Sequence, residues 1–176
     1  ACGVLPAVLL PLCKYEELNQ RQILEALYVA SGIGAVIAYR ACIAGAAGGC
    51  QAEIGTASAM AAGALVALRG GSGQQICHAV AMALKNLLGL ICDPVAGLVE
   101  VPCVKRNVVG AVNAVSAADM ALAGIESRIP VDEVIDAMGE AAASPWSSGR
   151  RRWAVWRTLP PARPSRPKCG TDVPIS

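Results

Sequence analysis

At 176 residues the chain is long enough for one domain with a real core, and 55% of it is hydrophobic although Phe is absent. The excess lies in Ala, Val, Leu and Ile together with 18 Gly, small side chains that argue against an aromatic-rich sandwich. The net charge of +2 averages two unlike pieces, because residues 1–143 hold 8 Lys+Arg against 12 Asp+Glu while residues 144–176 hold 7 against 1.

The start, Ala1-Cys2-Gly3-Val4-Leu5-Pro6, lacks an initiator Met and a basic leader, and reads as a chain already under way, a fragment. From Glu16 to Ala38 the spacing predicts a helix, with Leu18, Ile23, Leu27 and Ala30 on its apolar side and Glu17, Arg21 and Glu25 opposite. Gly45 to Gly49 reads as a flexible turn into Cys50. Ala52 to Leu68 is a second helix of small residues, ended by Gly70-Gly71. Gln74 to Leu88 is a third, burying Ile76, Val80, Ala83, Leu84 and Leu87. Gly89 to Pro102 is expected to be irregular, since Asp93 and Val101 each precede a proline. Residues 104–124 and Pro130 to Gly139 complete the set, the last with Asp132 and Glu133 near its positive end. No segment alternates with period two. The expected fold is all-α, a compact bundle of small-residue-rich helices with a cysteine-bearing loop region.

A mean hydropathy of +0.49 raises the question of a membrane. Residues 108–125 carry Asn113, Ser116 and Asp119, and residues 54–68 fall short of the roughly 20 a span needs. Neither is flanked by an aromatic belt. Buried helices of a soluble, cytoplasmic protein are the expectation, with no membrane partner.

Eight cysteines in such a sequence argue for metal or buried thiols before disulfides. Cys50 lies in Gly48-Gly49-Cys50-Gln51-Ala52-Glu53, Cys92 before Asp93-Pro94, and Cys103 after Val101-Pro102. Each is therefore set on a turn or helix end, and three such thiolates suit three corners of an iron–sulfur cluster with a fourth iron left open. Free cysteines are otherwise buried small hydrophobes, the expectation for Cys2, Cys13, Cys42 and Cys77. Cys77 and His78 are neighbours, but adjacent helix residues point about 100° apart, which argues against a nucleophile pair, and His78 reads as a surface or satisfied helix residue. Asp93 reads as an Asx-turn residue.

Several stretches carry a resemblance: Ala1-Cys2-Gly3-Val4-Leu5-Pro6-Ala7, Ile43-Ala44-Gly45-Ala46, Gly49-Cys50-Gln51-Ala52-Glu53-Ile54-Gly55, Lys85-Asn86-Leu87-Leu88-Gly89-Leu90, Cys92-Asp93-Pro94-Val95-Ala96-Gly97 and Val101-Pro102-Cys103-Val104-Lys105-Arg106-Asn107. In order through residues 1–140, the chain resembles the C-terminal part of the α chain of iron–sulfur-dependent bacterial L-serine dehydratases. The resemblance implies loss of water from L-serine to give 2-aminoacrylate, which hydrolyses to pyruvate and ammonia. It implies a [4Fe–4S] cluster on Cys50, Cys92 and Cys103, whose open iron would polarise the serine hydroxyl. It also implies a β subunit or β domain as partner and a homo-oligomer. Glu53, Lys105, Arg106 and Asn107 are candidate substrate-binding residues, and no general base is identified. Glu53 equally suits a helix cap, and Lys105-Arg106-Asn107 a solvated helix start or a balance to cluster charge. The family commonly has Asn and then Ser or Thr where this chain has Arg40 and Cys42, and an Arg in a tight substrate pocket would misplace groups. The fragment alone is expected to be inactive. The alternative function is a redox-sensing or electron-transfer iron–sulfur protein, which would want a fully cysteine-ligated cluster.

Residues 144–176 hold all three Trp and six of the eleven Pro. A basic, Pro-rich stretch of this kind reads as a disordered tail in preference to a nucleic-acid patch around Arg150-Arg151-Arg152-Trp153. Back-translation of Gly149 to Arg157 is compatible, two bases out of frame, with Glu-Thr-Ala-Val-Gly-Gly-Leu-Ala, similar to the ending of such α chains. A frameshift near Ser144 is the expected cause, and no role passes to Cys169.

Overall fold

The computed structural model describes residues 1–92 and 100–143, with the side chains of Glu100 and Val101 excepted. The expectations for Asp93-Pro94 and for the 144–176 tail lie outside the described residues. Among the described residues there are seven helices and no strand: α1 (Val4–Tyr15), α2 (Gln20–Arg40), α3 (Gly45–Gly48), α4 (Cys50–Leu68), α5 (Gly73–Lys85), α6 (Glu100–Leu122) and α7 (Val131–Ala143). The all-α expectation holds.

Several boundaries differ, each for a local reason. Helix α1 escapes a pattern reading because it carries Pro6 and Pro11. Pro6 sits in the first turn, where the missing N–H has no intrahelical acceptor to lose. Helix α2 starts at Gln20 and not at Glu16, because Glu17 takes a φ of 49° and Asn19 caps the helix. Asn19 Oδ1 accepts the Gln22 N–H and Gln22 Oε1 accepts the Asn19 N–H, both at 3.0 Å. Ser72 and Gln75 build the same box at α5. The expected turn at 45–49 contains one helical turn, α3, and α4 begins at Cys50, earlier than Ala52. Helix α6 begins at Glu100, so Pro102 and Cys103 belong to its first turn and not to an irregular segment. A proline there interrupts no ladder bond.

Helix α4 is the centre of the molecule and packs against all six others. Fourteen of its nineteen residues are buried, most of them Ala, Gly or Ser. Small side chains let neighbouring backbones come close. A Cβ at Gly110 on α6 would lie 2.8 Å from Ile54 Cγ2 and 3.0 Å from Val4 Cγ2, so glycine fixes the α6 approach to α4 and α1. The same crossing carries a polar joint: Ser58 Oγ donates to the Gly110 carbonyl at 2.9 Å and accepts from Asn113 Nδ2 at 2.8 Å. Helix α2 buries Ala26, Ala30 and Ile37, whereas Leu27, expected inside, is exposed. By length and composition α2 would suffice to cross a membrane, and only 17% of its apolar window is buried in the fold. Neither 108–125 nor 54–68 meets that test.

Candidate functional site

The three expected thiols come from three separated pieces of chain that meet at the N-terminal end of α4. Cys50 is the first residue of α4 and is buried. The preceding Gly49 has φ 81° and ψ −178°, backbone space that is essentially glycine's own. A Cβ there would lie 3.1 Å from the Leu90 carbonyl oxygen and 3.4 Å from the Cys92 nitrogen. The bare backbone of residue 49 therefore lets the segment 89–92, which follows α5, lie directly on the start of α4.

Polar bonds hold that segment down. The Gln51 N–H donates to the Leu90 carbonyl at 2.8 Å, and the Gly89 N–H donates to Gln51 Oε1 at 2.8 Å. Gln51 Nε2 donates in turn to the Gly48 carbonyl at 3.1 Å, so this buried glutamine is satisfied at both ends of its amide. Arg106, from the second turn of α6, places Nη1 3.1 Å from Cys50 Sγ and 3.0 Å from the Ile91 carbonyl.

Cys103 completes the group. Its thiol pKa is raised, first by burial, then by the nearby Cys50 through charge and a hydrogen bond, and further by Cys92 and Glu53. Those neighbours place Cys50, Cys92 and Cys103 in one electrostatic environment. Among the described residues no three His, Cys, Asp or Glu side chains gather closely enough to chelate a single ion. The apolar cleft of about 230 Å³ between α2, α5 and α7, lined by Ile33, Val36, Ile76 and Ile135, contains none of these thiols.

The remaining candidates divide. Glu53 lies in the first turn of α4 and takes the Ala1 amino group on Oε1 at 2.6 Å. Asn107 accepts the Gly3 N–H at 3.0 Å and donates to the Cys103 carbonyl at 2.8 Å, joining the strand of chain before α1 to α6. Lys105 is exposed. Arg40 grips Asp136 with Nε and Nη2, at 3.0 and 2.6 Å, and Asp132 with Nη1 at 3.0 Å. The Arg40 charge is thereby paired with two carboxylates of α7. His78 accepts the Ser127 N–H on Nδ1 at 3.2 Å, as a satisfied helix histidine should. Cys2 and Cys77, expected to be buried, are exposed. Pattern reading passed over Gln51; its one signal was a lone amide among small residues directly after a cysteine.

A probable L-serine dehydratase alpha chain of Latilactobacillus sakei is 59% identical over 138 residues, which are 78% of this chain and 66% of that one. A probable L-serine dehydratase alpha chain of Bacillus subtilis is 58% identical over 138 residues, covering 78% of this chain and 46% of that protein. The L-serine dehydratase alpha chain of Peptoniphilus asaccharolyticus is 49% identical over 142 residues, 81% of this chain and 49% of its own length. The chain thus spans about a third to two thirds of the length of the relatives it matches. The serine dehydratase alpha chain profile matches residues 1–147, and this chain belongs to that family.

Proposed function

We propose that this chain is the cluster-holding part of an iron–sulfur L-serine dehydratase, a lyase that converts L-serine to pyruvate and ammonia. The observation that carries the reading is the gathering of Cys50, Cys92 and Cys103 around the start of α4 in a member of this family. The donor set fits a [4Fe–4S] cluster in kind. Thiolates are the ligands such clusters take, and each binds a different iron, so the sulfurs need not converge on one point. When bound, the cluster would supply Lewis acidity at an iron without a cysteine ligand, easing departure of the serine hydroxyl.

The chain's own residues then take separable roles. Cys50, Cys92 and Cys103 hold the cluster. Glu53, in the first turn of α4 and beside Cys103, binds the substrate ammonium, a role supported by its carboxylate charge next to the thiol group. Arg106, engaged with Cys50 Sγ and Ile91, balances the negative charge of a thiolate-bound cluster in preference to binding substrate. Asn107 is committed to Cys103 and Gly3 and steadies the third ligand. Lys105, outside these contacts, is left to reach the substrate carboxylate. The working enzyme is a soluble cytoplasmic assembly of this chain with a β subunit or β domain, in more than one copy.

Anaerobic treatment with iron and sulfide tests the reading. Iron and acid-labile sulfide should be retained by the parent chain and lost in Cys50→Ser, Cys92→Ser and Cys103→Ser alike. Retention of a full cluster by any two of these variants would overturn the ligand set.

A further inference from the structure

The segment carrying Cys92 is fastened by two residues from different helices. Gln51 holds it twice, through its backbone N–H to Leu90 and its side-chain oxygen to the Gly89 N–H. Arg106 holds it a third time, at the Ile91 carbonyl, with the same Nη1 that lies on Cys50 Sγ. One guanidinium nitrogen therefore links the residue before one thiol to the sulfur of another. Gly49 removes the side chain that would keep the two backbones apart. None of these contacts needs a bound group to form, since each runs between protein atoms.

We propose that Arg106 and Gln51 are positioning residues, a two-point clamp that sets Cys92 beside Cys50. The cluster role of these thiols rests on the reading above, whereas the clamp rests on contacts between protein atoms. Its purpose follows from binding energetics. Ligand-bearing loops that are already in place lose less conformational freedom when they bind, and the groups fixing them matter nearly as much as the ligands. Of the three thiols, Cys92 most needs such help. Cys50 and Cys103 stand in the first turns of α4 and α6, whereas Cys92 lies on irregular chain.

The clamp is tested on metal-free reduced protein by timing iodoacetamide alkylation of each cysteine by mass spectrometry. Arg106→Met keeps the apolar stem and removes the donors, and Gln51→Met removes the side-chain staple at similar volume. Either should speed alkylation of Cys92 roughly tenfold through easier opening of the segment, while Cys13 and Cys77 keep their rates. Arg106→Lys, which retains a charged donor, should return Cys92 toward the parent rate. An unchanged Cys92 in both Met variants would overturn the clamp. So would equal acceleration of every cysteine, which would signal general loosening. On iron-loaded protein the Met variants should bleach about 10-fold faster or more. If the parent chain takes up no iron, the functional reading fails while the alkylation result still decides the clamp.

Discussion

Helices α2 and α4 are nearly equal in length, 21 and 19 residues, and pack against each other, yet they do opposite jobs. Helix α4 is surrounded, with fourteen buried residues and contacts to every other helix; α2 buries three and leaves Leu24, Tyr28, Val36 and Tyr39 in the open. The helix long and apolar enough to span a membrane, α2, is the less buried of the two. Centrality here comes from small side chains. Ala, Gly and Ser let six neighbours approach α4, and that central helix presents Cys50, Gln51 and Glu53 from its first turn. The site is built on the best-anchored element of the fold, while α2 is a flank.

The sharpest way to break this contrast is to cut into α4. Ile54→Ala removes a fully buried side chain at the α1–α4–α6 crossing and should cost about 2–5 kcal/mol in denaturant melts. Gly49→Ala should cost about 1–3 kcal/mol, because residue 49 would be forced into backbone space that alanine avoids and against the Leu90 carbonyl. In the same melts it should also expose Cys92 to alkylation. Thr56 offers a change of opposite sign. Its Oγ1 is the one buried side-chain oxygen or nitrogen without a partner among the described residues, so Thr56→Val should be neutral or stabilising by about 1 kcal/mol. On the flank, Tyr39→Ala should shift stability by no more than about 0.5 kcal/mol, since that ring is 92% exposed.

The smallest effect should come from the tie between α2 and α7. Arg40 hydrogen-bonds Asp136 and holds its carboxyl below the usual carboxylate range. A carboxylate whose pKa is lowered by folding contributes stability above its ordinary value, near ~3.9, and loses it as pH falls through the folded value. The difference in melting temperature between parent and Arg40→Ala should therefore be small at pH 7, where the exposed pair is screened, and should vanish at the acid end. A difference that grows on acidification would contradict the pairing.

Much of this was legible in the sequence because it is local. Helix α5 announced its core side through Val80, Ala83 and Leu84, all buried, although it ends at Lys85 and the buried Leu87 lies in the turn beyond it. The three thiols were marked by the glycines and prolines beside them. Other features depend on long-range contacts that no window contains. Helix α1 hid behind two prolines, one of them harmless in the first turn. Leu27 belongs to the apolar pattern of α2 but faces outward, because nothing among the described residues covers that side. The Gln51 and Arg106 fastenings join residues 38 and 15 positions apart, a pairing that exists only once α4, α6 and the 89–92 segment meet. Arg40 looked like an intruder by its position near Ile43-Ala44-Gly45, yet its partners, Asp132 and Asp136, lie more than ninety residues on.

The central claim is that the meeting point of Cys50, Cys92 and Cys103 holds a cluster open to substrate. Electron paramagnetic resonance of the anaerobically loaded, reduced chain, recorded with and without L-serine, tests it most directly. The account predicts a cluster signal that changes when L-serine is added. A signal that ignores L-serine would point to a redox role, and the absence of any cluster signal would contradict the claim outright.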